Sequence, residues 1–200
     1  MGDAISLRPD HQCLLGTASG QHGYFTTAQA HACGFTRSLL SHTTTSGKYI
    51  RIRRGLYRLR DYPTFPREEV VAAWLAVGKE TAVVSHESAL ELLDLSDVIP
   101  HAVHLTVPRS KRNLPDLPGV RIHTTTRQFG ALDVVTRDGI RLTSAGRTIL
   151  DAAEWGTGPE QIEMAIKQAV DRALITRSQL TQEASDRSLR VRNLVDNALQ

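Results

Sequence analysis

The stretch from Ile50 to Leu59, Ile-Arg-Ile-Arg-Arg-Gly-Leu-Tyr-Arg-Leu, constrains the fold more than any other part of the chain. Apolar and basic residues alternate, cross an Arg-Gly pair and alternate again, which is the period of an extended strand. With Arg54-Gly55 as a two-residue loop, Arg53 stands opposite Leu56, Ile52 opposite Tyr57, Arg51 opposite Arg58 and Ile50 opposite Leu59. That register gathers Ile50, Ile52, Tyr57 and Leu59 on one face and Arg51, Arg53, Leu56 and Arg58 on the other. A three-residue loop would oppose Ile50 to Arg58 and mix the faces. The shorter loop asks Arg54 for a positive φ. Directly opposed arginines repel, so the polar face is expected to meet an anion.

The charge distribution points the same way. Residues 1–62 hold eight Lys/Arg against three Asp/Glu, whereas residues 63–200 hold sixteen against eighteen. A basic module joined to a slightly acidic one suits a polyanion-binding domain with a second domain behind it. The break is expected at Asp61-Tyr62-Pro63-Thr64-Phe65-Pro66, where two prolines interrupt regular structure, giving domains 1–62 and 63–200. No apolar run reaches membrane-spanning length, so no membrane partner is expected. Two cysteines, Cys13 and Cys33, make no disulfide framework, which fits a reducing cytoplasm.

Helix signals precede the hairpin. A first helix is expected within residues 9–20. Thr26, with Gln29 three residues on, forms a capping box, Phe25 supplies a staple, and Gly34 ends that helix. Thr36 caps another helix running to about Gly47, with Leu39, Leu40 and Thr43 inward and Arg37, Ser38, Ser41, His42 and Thr45 outward. Helix, short turn with glycine, helix, then hairpin is the order of a winged helix-turn-helix. After the boundary, helices are expected at 67–78 and from Ser85, with a short strand at 81–85 between the prolines and that cap. Strands follow at 101–107 and 120–126, and a hairpin turns on Asp138-Gly139. Four helices then begin near Ser144, Pro159, Thr176 and Asp186. The fold class is α+β: an N-terminal winged helix-turn-helix, then a mixed α/β domain with terminal helices.

The segments "GYFTTAQAHACGFTRSLL" and "GKYIRIRRGLYRL" resemble the AbiEi family of type IV antitoxins. So do "SHESALELLDL", "VHLTVPRSKR", "GVRIHTT" and "GIRLTSAGRTILDAA" further on, in the same order over roughly residues 20–180. The resemblance implies an N-terminal domain that binds double-stranded operator DNA and represses its own operon. It also implies a C-terminal domain that neutralises a cognate nucleotidyltransferase toxin. DNA-contact roles carry over to Arg37, Ser38, Ser41, Arg51, Arg53, Arg54 and Arg58. The Thr43-Thr44-Thr45 run departs from a typical recognition helix, because β-branched residues favour helix poorly and threaten to shorten it.

The remaining candidates are weighed residue by residue. Lys48 is expected to join the wing on the phosphates, and His42 either reads a base edge or lies on the surface. About five phosphates neutralised per protomer would give log affinity a slope of roughly −4 to −5 against log salt. Arg109, Lys111 and Arg112 make a second basic cluster, either a solvated loop or a further contact. His11-Gln12-Cys13 and His31-Ala32-Cys33 repeat a His-x-Cys spacing but lack the closely spaced cysteine pairs of a structural zinc site. Ser85, His86 and Glu87 are consecutive on a helix and so are not expected to face one another. Arg147 and Asp151, four apart, are expected to pair as a structural bridge. "GTGPE" at 156–160 lacks the Gly-Lys-Ser/Thr ending of a phosphate loop. No catalytic residue, metal ligand or cofactor is therefore expected. Two alternatives remain open: an enzyme that modifies the toxin covalently, for instance by phosphotransfer, and a plain ligand-sensing repressor. A homodimer on DNA stays open as well, since no seam for one stands out.

Overall fold

The computed structural model describes residues 8–200, which divide into two compact units, the first ending at Lys79 and the second spanning Glu80–Gln200. In the first unit, α1 (His11–Ser19) leads to β1 (Tyr24–Thr26), α2 (Thr27–Ala32), α3 (Arg37–Thr45), the hairpin β2 (Tyr49–Arg53) and β3 (Leu56–Leu59), and α4 (Glu68–Val77). The sheet order is β1-β3-β2, antiparallel throughout. Its core is Leu14, Ala18, Phe25, Ala30, Phe35, Leu40 and Tyr49, with Leu39, Tyr57 and Leu59 packed against it.

Local chemistry sets the helix ends as the sequence predicts. Thr26 Oγ1 accepts from Gln29 N while Gln29 Oε1 accepts from Thr26 N, the full capping box. Thr36 Oγ1 accepts from Leu39 N and starts α3. The threonine run does not shorten that helix. Thr43, Thr44 and Thr45 each turn the hydroxyl back onto the carbonyl four residues earlier, so α3 keeps nine residues.

Two expectations about this unit are corrected. The compact unit runs past residue 62, because α4 packs on β1 and β3 and its Glu68 accepts from Arg58 Nη2 and Tyr24 Oη. The prolines at 63 and 66 mark a connection inside the unit. Secondly, Cys13 and Cys33 are bonded to each other across a Cα–Cα distance of 5.7 Å, tying α1 to the end of α2. The His-x-Cys repeat thus reflects a covalent staple, and the chain holds a disulfide where the sequence suggested two thiols.

In the second unit, β4 (Val83–Val84), α5 (His86–Leu92), β5 (Val103–Pro108), β6 (Val120–Thr125), β7 (Val134–Arg137) and β8 (Ile140–Thr143) precede four helices. These are α6 (Ala145–Trp155), α7 (Pro159–Asp171), α8 (Arg177–Ala184) and α9 (Leu189–Ala198). The five strands make a mixed sheet ordered β6-β5-β4-β8-β7, in which β5 runs parallel to β6 and β4 parallel to β8. Asp138 and Gly139 both take positive φ at the β7–β8 turn, the backbone a tight two-residue hairpin needs. On α7, Ile162, Ala165, Ile166 and Ala169 are buried, as their spacing predicts. Among the described residues, no helix is long and apolar enough to cross a membrane.

Candidate functional site

The hairpin turns where the alternation puts it, at Arg54-Gly55, with Arg53 opposite Leu56. Beyond that pair the register differs from expectation. A bulge between Arg51 and Arg53 moves the pairing by one, so Arg51 lies opposite Tyr57, Ile50 opposite Arg58 and Tyr49 opposite Leu59. The bulge removes the predicted Arg51–Arg58 repulsion and turns Ile52 outward, where it is 38% exposed. Only Gly55 takes a positive φ at the turn, so Arg54 is spared the left-handed backbone.

The arginines then part company. Arg51 and Arg54 are exposed and Arg53 is half-buried. Arg58 is 6% exposed, and its Nη2 donates to Tyr62 O, Pro63 O and Glu68 Oε1 at 2.9–3.0 Å. Its charge is spent inside the unit, so Arg58 is a structural cation and not a phosphate contact. The same carboxylate and burial push the Tyr24 phenol up to about 12. On α3, Arg37, Ser38, Ser41, His42 and Thr45 are exposed while Leu40 and Thr43 are buried, the division the helical period predicts. Lys48 is exposed between α3 and β2. One unit therefore presents a helix face of small hydroxyls, an arginine and an imidazole, followed by a hairpin with outward cations. Such surfaces can approach base edges and phosphates closely.

In the second unit, Arg109, Lys111 and Arg112 occupy a single exposed 3-10 turn after β5. Nothing converges on them. The polar groups that do converge were not chosen from the sequence. Because β5 and β6 are parallel with His104 opposite Arg121 and Thr106 opposite His123, alternate side chains of the two strands share one face. His86, at the start of α5, and Trp155, at the end of α6, come to that face: the His86 ring stacks on His123 at 3.6 Å and 16°, and Trp155 meets His123 edge-on at 4.8 Å.

Hydrogen bonds link the cluster. His104 Nδ1 lies 3.0 Å from His123 Nε2, and His104 Nε2 lies 3.9 Å from Glu87 Oε2. Glu87 Oε1 in turn accepts from Thr157 Oγ1, which gives the "GTGPE" loop its role here. Ser85 does not cap α5 with its side chain. Its Oγ lies 2.9 Å from His86 Nδ1 and accepts from Thr106 Oγ1. The expectation that adjacent Ser85 and His86 cannot meet fails because His86 has φ 52°, outside the right-handed helical region. A buried non-glycine residue held there stores local strain, a feature that gathers at functional sites.

Beside the imidazoles, Arg147 and Asp151 form the predicted four-apart pair, Arg147 Nε donating to Asp151 Oδ2 at 2.7 Å. The other carboxylate oxygen accepts from Arg187 Nη2 at 2.8 Å. These groups border a cleft of about 310 Å³ together with His86, His123, Thr125 and Trp155. Burial first, then neighbouring imidazoles, Arg147 and Arg187, lowers His86 to about 2. Burial, His104 and Arg121 lower His123 to about 4. His104 is lowered chiefly by burial, against a contrary pull from Glu87. All three rings are thus neutral near pH 7.

Three imidazoles with ligand nitrogens within 4.8 Å could in principle hold a transition ion. Their orientation does not suit one. Imidazole lone pairs lie in the ring plane, so the parallel, stacked rings of His86 and His123 cannot both aim at a single ion. Arg147, Arg187 and Arg121 also add positive charge around the rings.

None of the curated proteins compared with the chain matches it. The solved structure of the RV2827C protein from Mycobacterium tuberculosis is similar in fold, with a TM-score of 0.58 at 17% identity, covering 92% of this chain and 75% of that one. It supports the α+β architecture, with a helix-turn-helix-type N-terminal part and an α/β C-terminal part. Residues 15–60, from within α1 through β3, match the family described as "Transcriptional regulator, AbiEi antitoxin", the family that the motifs of this segment resemble.

Proposed function

We propose that the chain is the antitoxin and autorepressor of a type IV toxin–antitoxin module, binding operator DNA through its first unit. The observation that carries this reading is the exposed face of α3 set beside the exposed Arg51 and Arg54 of the hairpin, within the segment that matches the AbiEi regulators. In this reading α3 enters the major groove, with Ser38, Ser41 and His42 near base edges and Arg37 at the groove wall. The β2–β3 hairpin is the wing, and Arg51, Arg53, Arg54 and Lys48 grip adjacent phosphates. In this reading the second unit neutralises the cognate nucleotidyltransferase toxin and the protein works in the cytoplasm, where the Cys13–Cys33 bond is exposed to reduction.

The test has two arms. Purified full-length protein is titrated onto labelled DNA from upstream of its own gene, and the gene is co-expressed with its chromosomal neighbour. The reading predicts a retarded complex that unrelated DNA competes poorly, and growth rescue from a toxic neighbour. Equal affinity for unrelated DNA would sink the operator assignment, and a harmless neighbour would sink the antitoxin one.

A further inference from the structure

The cleft of the second unit brings two arginines and two carboxylates, Asp151 and Glu154, to one border. Asp151 divides its two oxygens between Arg147 and Arg187, which fixes both guanidinium planes and leaves further N–H groups on each. Arg147 also has Asp133 at 3.8 Å, beyond hydrogen-bond length, the Phe129 ring 5.8 Å away and Glu183 as a further electrostatic neighbour. Both arginines are largely buried, with side chains 12% and 21% exposed, yet both border the open cleft. Two oriented guanidinium forks with donors to spare fit the tetrahedral oxygens of a phosphate.

A second carboxylate, Glu154, also lines the cleft, with its Oε2 accepting from Ser188 N and Oγ. Thr106 and Thr125 line it from β5 and β6 with their hydroxyl protons already given to Ser85 Oγ and Arg127 O, and His86 and His123 border it as neutral rings. His123 Nε2 lies 3.0 Å from His104 Nδ1. The depressed basicity of His86 arises chiefly from burial and then from His123, His104, Arg147 and Arg187. At about 310 Å³ the cleft exceeds a bare phosphate and reaches the lower end of small-ligand sites. Trp155, 50% exposed, is the aromatic surface on its border.

We propose that this cleft binds the phosphate group of a small phosphorylated ligand of nucleotide size, clasped by Arg147 and Arg187 with the His86 and His123 rings beside it. The site makes the second unit a ligand-responsive module, and it stands whether or not the first unit binds an operator.

Titration of full-length protein with inorganic phosphate, adenosine 5′-monophosphate and adenosine, followed by histidine Cε1–H NMR signals and calorimetry, tests the assignment. Saturable shifts of His86 and His123 are expected with both phosphate-bearing probes, while His11, His31 and His42 of the first unit stay still. Adenosine alone should give none. Tighter binding of the monophosphate identifies a nucleotide, and equal affinities identify free phosphate. Arg187→Gln should weaken binding at least about tenfold, with folding checked by its melting curve. Silence of both His86 and His123 in the wild-type chain at about 10 mM probe, ten times a Kd of about 1 mM, would overturn the proposal. So would adenosine binding as tightly as its monophosphate. Stoichiometric zinc binding that shifts all three imidazoles, with no response to phosphate, would make the cluster a metal site instead.

Discussion

The two units use arginine in opposite ways. In the β2–β3 hairpin, Arg51 and Arg54 are exposed to solvent, with no ion-pair partner among the described residues, so their charge is available to something outside the molecule. In the second unit, Arg147 and Arg187 turn inward and share Asp151, and only their unspent N–H groups reach the cleft. The first arrangement suits an extended polyanion, met by many weakly solvated contacts. The second suits one small anion, met by few fixed donors. Arg58 shows that the distinction is not set by strand position alone. It lies on the same hairpin as Arg51, yet Glu68 draws it inside.

The sharpest way to break that comparison is to remove the shared acid. Asp151→Asn leaves Arg147 and Arg187 without their counter-charge in a largely buried place and should cost about 3 kcal/mol or more, read by urea denaturation. A loss below about 1 kcal/mol would mean that solvent, not Asp151, carries the two cations. Within the first unit, reducing the Cys13–Cys33 bond releases a loop closed over a sequence separation of 20 and should lower stability by about 3 kcal/mol. Melting with and without reductant checks this, and an unchanged midpoint would show the staple to be absent in solution.

Acid should separate the units further. His86, His104 and His123 all have folded-state values below the ordinary 6.5 of an unfolded chain. Between the folded and unfolded values the unfolded chain binds more protons, so their contribution is complete above about 6.5 and is lost as pH falls. The expected loss between about pH 6.5 and 4 is about 3 kcal/mol or more, confined to the second unit, and the triple variant His86→Asn, His104→Asn, His123→Asn should flatten it. A smaller effect belongs to the capping box. Thr26→Ala should cost about 1 kcal/mol of the first unit's stability, and no measurable change would mean that Gln29 alone holds that helix end.

How much of this was legible in the sequence differs between the units for a physical reason. The first unit is written in local code. Caps three residues apart, a glycine after each helix and a period-two hairpin each report on near neighbours, so α2, α3 and the Arg54-Gly55 turn all stand where the sequence puts them. What failed there, besides the boundary at 62 and the Cys13–Cys33 bond, was the bulge at Ile52, which leaves no compositional trace, and Arg58, whose partner lies ten residues on in α4. The cleft is written in tertiary code. Its members lie between residues 86 and 187 on separate elements, and only the parallel pairing of β5 with β6 sets Thr106 beside His123. The Arg147–Asp151 pair was visible because it is local to one helix. The faint signal for the rest was a histidine in each of the strand segments "VHLTV" and "RIHTT", plus "SHES", where the helical assumption for His86 hid a contact that its backbone allows.

The central claim is that the hairpin's outward arginines contact DNA phosphates while Arg58 serves the fold. It is tested most directly by measuring operator affinity against salt for the wild-type chain and for Arg51→Ala, Arg53→Ala, Arg54→Ala combined. Losing three phosphate contacts should reduce the slope of log affinity against log salt by about 2.7, with melting of the first unit unchanged. An unchanged slope in a folded triple variant would contradict the account.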